Sequence, residues 1–233
     1  MLYTLRISKF LINILVKKIN KSRYIKIIIN LKIRLFMNKK KVEHLKLEGN
    51  NFYLRKLKFS DINKNYLAWM NDKKVNQFLY NPKKKYLRKD LIEFYKEIDF
   101  NKKMIFAIID KKNDKHIGNM GLNPIDMKNY KTAIGGIIGE KKYWGSTAFV
   151  ESLQLLIDYS FNVRKFIKIE SVVYENNIPC IIASKKVGLK LEGIRKKNII
   201  IDNAIYDTYN FGITSKKNEK NLFRNKKNIF KSS

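Results

Sequence analysis

Two hydrophobic rhythms take turns along this chain from residue 46 onward. Phe52 to Leu57 alternates apolar and polar positions, which predicts a strand with one buried face. Ser60 predicts the N-cap of a helix running to Trp69, and Asp72 the cap of a short second helix to Leu79. Pro82 and the lysines after it interrupt the pattern as a loop. Leu91, Phe94, Tyr95 and Ile98 fall at helical spacing and predict a helix over 87–98. Residues 104–109, 116–122 and 131–138 predict three strands, the first two joined by a turn at Lys111 to Asp114. A helix over 147–161, a strand over 166–173 and a helix over 178–187 follow. Gly188 supplies the residue that ends the last of these. Two strands, 189–201 and 204–213, joined at Asp202-Asn203, complete the pattern.

Composition narrows the class. With 233 residues and 45% hydrophobic content, the chain can bury one full core. Its formal net charge of +30 suggests nucleic acid as a partner. Only 8 of the 50 basic residues are Arg, however, and Arg supplies the bidentate fork that reads bases and phosphates. The excess of Lys, Asn and Ile is what an A/T-rich genome produces, so no specific nucleic-acid partner is expected. The single cysteine, Cys180, excludes an intrachain disulfide and fits a reducing, cytoplasmic setting. No Cys/His cluster has metal-ligand spacing, so no metal is expected.

The two ends differ from the middle. Residues 1–45 form a basic N-terminal extension; the first 36 carry nine Lys or Arg and no acid. No apolar run reaches the roughly 18 residues of a spanning helix, so no transmembrane segment is expected. Three readings stay open: a helix on an anionic membrane surface, a disordered tail, or a translation start at Met37 that leaves the segment out. Residues 214–233, with seven basic residues and one acid, are expected to form a basic frayed tail.

The chemistry concentrates at residues 135–151. An apolar run ends at Gly139, a polar turn follows, and an amphipathic helix begins near Thr147. A helix N-terminus reached from a strand exposes unpaired amides at one spot and suits a phosphate or pyrophosphate.

Tyr143-Trp-Gly145, before this helix, resembles the acetyl-CoA loop of the GNAT acyltransferase superfamily. The resemblance is greatest to its ribosomal-protein and amino-sugar N-acetyltransferase branch. Three more segments are similar in the same order. The first is Tyr53-Leu-Arg-Lys-Leu57 with Ser60-Asp61 and Asn65 to Asp72. The second is His116-Ile-Gly-Asn-Met-Gly-Leu122. The third is Tyr174-Glu-Asn-Asn-Ile-Pro-Cys180 running to Gly193. The resemblance spans residues 46–213. It implies a GNAT-like α/β (α+β) domain with a mixed, mostly antiparallel central sheet flanked by helices. It also implies acetyl-CoA as co-substrate and a primary amine as acceptor, either a nucleotide-linked amino sugar or a protein N-terminus. A monomer or homodimer is expected.

The resemblance also implies site residues. Ile137, Ile138, Gly139, Trp144, Gly145, Ser146, Thr147 and Ala148 would line the cofactor, with the oxyanion donor a backbone amide around 137–139. Asn177 would face the pantetheine arm or simply open its helix. Ser184 stands where relatives carry a tyrosine that donates to the leaving thiolate. Asp207 is a candidate base. Trp69, Asn71, Asn119 and Tyr174 would wall the acceptor pocket.

Three positions depart from the family pattern. Thr147 and Phe149 replace small residues, normally glycines, and Ala133 replaces an acid. A β-branched residue forced into a left-handed conformation costs about 1–2 kcal/mol, so weakened binding is expected. A catalytically weak or inactive CoA-binding protein of the same fold is therefore the second reading. A basic nucleic-acid or membrane-surface module is the third.

Overall fold

The structure, a computed structural model, describes residues 45–79, 85–201 and 203–229. The readings for residues 1–36 and for a start at Met37 lie outside these residues. The described residues from 46 onward belong to one compact unit. They form an eight-stranded sheet and six α-helices.

The strands are β1 (Lys46–Glu48), β2 (Phe52–Lys56), β3 (Met104–Asp110), β4 (Lys115–Asp126), β5 (Lys131–Ile138), β6 (Lys168–Tyr174), β7 (Lys190–Ile201) and β8 (Ala204–Thr214). Their spatial order is β1-β2-β3-β4-β5-β6-β8-β7, and all pairs are antiparallel except β5 with β6. The helices are α1 (Lys64–Asn71), α2 (Lys73–Asn76), α3 (Arg88–Lys96), α4 (Ala148–Asn162), α5 (Ile178–Lys186) and α6 (Lys216–Ile229). A parallel pair needs a crossover, and α4 provides it between β5 and β6.

The sheet has a core on each face. On one, Tyr53, Leu57, Ile105, Ala107 and Ile109 pack with Tyr66 and Trp69 of α1, Val75 of α2 and Leu91 of α3. On the other, Phe106 meets Tyr159 of α4 edge to face, with centroids 6.1 Å apart. Every β3 residue is buried, as expected for a central strand covered on both sides.

Two predicted boundaries are corrected. Ser60 does not cap the first long helix; it lies in a 3-10 turn, Phe59–Asp61. The cap is Asn63, whose side chain accepts from the amides of Asn65 and Tyr66. The chain cannot run straight from Ser60 because Asp61 is held back by Arg55 and by the Lys58 amide. Asp72 does cap α2, accepting from Lys74 and Val75. Within the expected frayed tail, residues 216–229 form α6, and Asn218 explains its anchorage. Its buried amide donates to the carbonyls of Phe161 and Phe166, both at 2.8 Å.

Candidate active site

The parallel pair opens in the middle of the sheet. β5 and β6 are in register only from Lys131 to Ala133 against Lys168 to Glu170. Beyond that point β5 stays on β4, and β6 stays on β8. The two strands therefore diverge toward their C-terminal ends, and α4 starts at the mouth of the opening. Ala133, the missing acid, sits in the closed part of this ladder.

Alternation identifies the amides that face the opening. In an antiparallel strand, one residue's N–H and C=O point to the same neighbour, and the next residue's to the other side. Gly139 donates its amide to Ile117 O at 2.9 Å, toward β4. Ile137 and Gly135 therefore face β4 as well, while Gly136 and Ile138 face the opening. The Ile138 carbonyl agrees: it accepts from Trp144 Nε1 at 2.9 Å, across the mouth. This corrects the expectation for two of three residues. The amides of Ile137 and Gly139 are turned to β4, leaving Ile138, with Gly136 in place of the others.

The turn into α4 is built by its own side chains. Gly145 takes φ +77°, a conformation that disfavours any residue with a β-carbon. Ser146 Oγ donates to Tyr143 O at 2.6 Å and accepts from the Ala148 amide at 3.2 Å, so Ser146 caps the helix. Tyr143 is moored to the sheet, donating to Asp110 at 2.6 Å and meeting Phe52 edge to face. The amides of Gly145, Thr147, Phe149 and Val150 have no protein acceptor among the described residues. They lie together at the N-terminus of a 15-residue helix, where the dipole also favours an anion.

Thr147 is not strained. Its φ of −74° and ψ of −6° are right-handed, and Phe149 lies inside α4. The penalty expected for these non-glycine residues is absent, because Gly145 carries the left-handed conformation. The Thr147 side chain makes no cap bond to the helix.

Trp69 joins α1 to this loop. Its Nε1 donates to Glu140 at 3.2 Å, and Lys115 holds the other Glu140 oxygen at 2.7 Å. Burial pushes the Glu140 carboxyl up, but Lys115 and Trp69 outweigh it and hold it below its ordinary value. Lys141 bridges to Asp72 at 2.5 Å. The His116 ring meets Trp69 edge to face, with centroids 5.0 Å apart. Its Nε2 contacts Gly118 O at 2.9 Å and Asn119 Oδ1 at 3.0 Å. Arg55 grips Asp61 with two bonds of 2.7 and 2.8 Å. Burial raises the Asp61 carboxyl, yet Arg55 and the Lys58 amide leave it below its ordinary value. Tyr174, at the end of β6, meets Phe78 edge to face.

Several expected residues are placed elsewhere. Asn71 is spent on Tyr86, donating to its carbonyl and accepting from its amide, both at 2.9 Å. It ties the end of α1 to Tyr86, ahead of α3. Asn177 caps α5, accepting from Cys180 N at 3.3 Å. Ser184 is 1% exposed and bonds to the Cys180 thiol, which burial pushes up to about 11. Asp207 lies in the β7–β8 hairpin, bound to Lys196 Nζ at 2.7 Å and the Lys197 amide at 2.8 Å. These partners, Lys196 first, hold its carboxyl below its ordinary value, which makes it a poor base. Sequence reasoning passed over Glu140, Arg55, Asp61 and His116. The signal for Arg55 and Asp61 was an opposite-charge pair six residues apart, bracketing a predicted strand end.

The sequence of residues 51–190 matches the family model described as "Acetyltransferase (GNAT) domain". The chain belongs to this family. The probable N-acetyltransferase YjcK of Bacillus subtilis (strain 168) is 28% identical over 167 residues, 69% of this chain and 92% of that protein. A spermidine N-acetyltransferase from Vibrio cholerae, solved with CoA and spermine, superposes with a TM-score of 0.66. It is 21% identical and covers 73% of this chain and 99% of its own. A ribosomal-protein-S5-alanine acetyltransferase from Vibrio fischeri superposes at 0.60, with 18% identity and coverage of 74% and 98%. The eight-stranded, mostly antiparallel sheet is the fold of these neighbours, and the protein is an N-acetyltransferase. Among the described residues no helix is long and apolar enough to cross a membrane.

Proposed function

We propose that the protein transfers an acetyl group from acetyl-CoA to a low-pKa primary amine, either an amino sugar on a nucleotide or a protein α-amino terminus. The observation that carries this reading is the convergence of unpaired amides on the opening between β5 and β6. The amides of Gly145, Thr147, Phe149 and Val150 suit a pyrophosphate. Those of Gly136 and Ile138 stand beside the opening, where a thioester carbonyl needs a donor as it becomes an oxyanion. Bound acetyl-CoA supplies the activated acyl group. The amine nitrogen bonds to the acetyl carbon, the carbon–sulfur bond breaks, the amine releases one proton to solvent and the thiolate takes one up.

No acid placed near Trp69 is free to act as a base: Glu140, Asp61 and Asp72 each face a cation. An amine with a pKa near 8 is partly neutral at neutral pH and needs no such help, whereas a lysine-like amine near 10.4 is almost wholly charged. The second reading, a weak or inactive CoA-binding protein, keeps only Ala133 as its motive, because Thr147 and Phe149 carry no strain. Calorimetry with acetyl-CoA, followed by thiol release in the presence of an amine, tests the proposal. Saturable binding with turnover is expected; no heat at millimolar acetyl-CoA would overturn it.

A further inference from the structure

One buried donor near the acceptor side lacks an acceptor. Asn119 Nδ2 has no partner, although Asn119 is only 5% exposed. The identity of that atom follows from its neighbours. The Gly118 carbonyl can only accept, so His116 Nε2 must carry its proton. That same N–H faces Asn119 Oδ1, which fixes the oxygen end of the amide toward His116. The nitrogen end is left as the orphan, and no amide flip removes it. Burying an unmet donor is unfavourable, and native cores rarely contain one.

The fold sets this donor on the acceptor side. Asn119 pairs with Ile137 across β4 and β5, so its side chain shares the sheet face that α1 covers. His116, its partner, meets Trp69 edge to face. Around Trp69 the acids are already neutralised: Asp61 by Arg55 at 2.7 Å, Asp72 by Lys141 at 2.5 Å and Glu140 by Lys115 at 2.7 Å.

We infer that Asn119 is a specificity-determining residue whose Nδ2 donates to an oxygen of the acceptor, a hydroxyl or a carbonyl close to the reacting amine. His116 is the positioning residue that presents Nδ2. This inference rests on the transferase reading and deepens it. An amino sugar offers hydroxyl oxygens, and a peptide α-amine lies beside its own carbonyl. A polyamine at neutral pH offers ammonium donors without lone pairs, so it meets the Asn119 donor with another donor. It also finds the nearby acids occupied. The site thus selects against polycations on two grounds.

The test compares three acceptors by thiol release from acetyl-CoA: glucosamine, a tripeptide with a free α-amine, and spermidine. In the wild-type protein kcat/KM for glucosamine or the tripeptide should exceed that for spermidine by at least about tenfold, the scale of one lost polar contact. Asn119→Asp keeps the shape and replaces the donor by an acceptor, and should shift that ratio toward spermidine by at least about tenfold. Asn119→Leu should lose the oxygen-bearing acceptors through KM while its melting temperature holds or rises, because an orphan donor is gone. A purely structural Asn119 predicts the opposite: a lower melting temperature and the same acceptor ratio in both variants. That result, or a wild-type preference for spermidine, overturns the inference. An absence of thiol release with all three acceptors overturns the transferase reading itself.

Discussion

The indole of Trp69 lies flat against Gly139: a β-carbon on Gly139 would fall 2.0 Å from Trp69 Cδ2. This contact explains the glycine better than the cofactor does, because the Gly139 amide is already bonded to Ile117. It also couples α1 to the end of β5, just before the turn into α4. Gly139→Ala should destabilise the fold by about 1–3 kcal/mol, as overpacking does. Trp69→Leu should be destabilising too, but the double variant should fall short of the sum, because the smaller side chain removes the clash. Urea unfolding of the four proteins measures this cycle, and strict additivity would refute the contact.

The cofactor loop gives a second prediction. Gly145 alone takes a left-handed conformation there, and its added β-carbon would meet open space, so the cost of Gly145→Ala is conformational. That cost is about 1–2 kcal/mol, which weakens acetyl-CoA by about 5- to 30-fold if the loop relaxes. Thr147→Gly should not tighten binding, since Thr147 is already right-handed. Calorimetry on both variants separates the two positions; tighter binding by Thr147→Gly would show that the loop reshapes around its ligand.

Much of this architecture was legible in the sequence because it is local. The alternation in Phe52 to Leu57 and the apolar run from Met104 gave strands, and Asp72 gave a cap where the structure has one. What stayed hidden depends on partners far along the chain. Nothing near Glu140 announces that it receives Trp69, 71 residues earlier. Nothing near Asp207 announces that two lysines across a hairpin occupy it. The composition of residues 214–233 suggested fraying, since solvated lysines dominate it. One buried asparagine reverses that for α6.

Asn218 therefore carries a prediction of its own. Its side chain satisfies two carbonyls at the junction of α4 and β6. Asn218→Ala leaves both unmet in a buried setting and should cost about 1–3 kcal/mol. For a domain of this size that lowers the melting temperature by about 2–4 °C for each kcal/mol. Differential scanning calorimetry measures it, and an unchanged melting temperature would mean α6 is not anchored there.

His116 makes stability depend on pH. Burial lowers its pKa below the ordinary 6.5, against the pull of Asp61 and Asn119. The neutral ring is thus favoured in the folded state, and the unfolded chain binds the proton more readily. The contribution is complete above 6.5 and is lost as pH falls from there through the depressed folded value. Asp61 and Glu140 have lowered carboxylate values and act only at lower pH. Urea midpoints at pH 7.5 and 5.5 should fall in the wild type, and His116→Gln should flatten the difference. An equal slope in the variant would locate the titrating group elsewhere.

Proton removal from the acceptor amine gives the last prediction. Asp207 is held ionised by Lys196 and the Lys197 amide, and both of its carboxylate oxygens are engaged. It cannot take a proton without giving up those partners. Glu140 is held low by Lys115 and Trp69, and is equally unsuited. The rate of acetyl transfer should therefore rise with pH along the titration of the acceptor amine itself, and its midpoint should move when an acceptor of different pKa is used. Asp207→Asn keeps the size of the side chain and should reduce kcat/KM by less than about tenfold, well short of the 10²–10⁴ that a general base contributes. The decisive comparison is the pH profile of wild type and variant with two acceptors. A midpoint that stays fixed across acceptors and disappears in the variant would make Asp207 the base after all, and the hairpin pairing with Lys196 would then have to open during turnover.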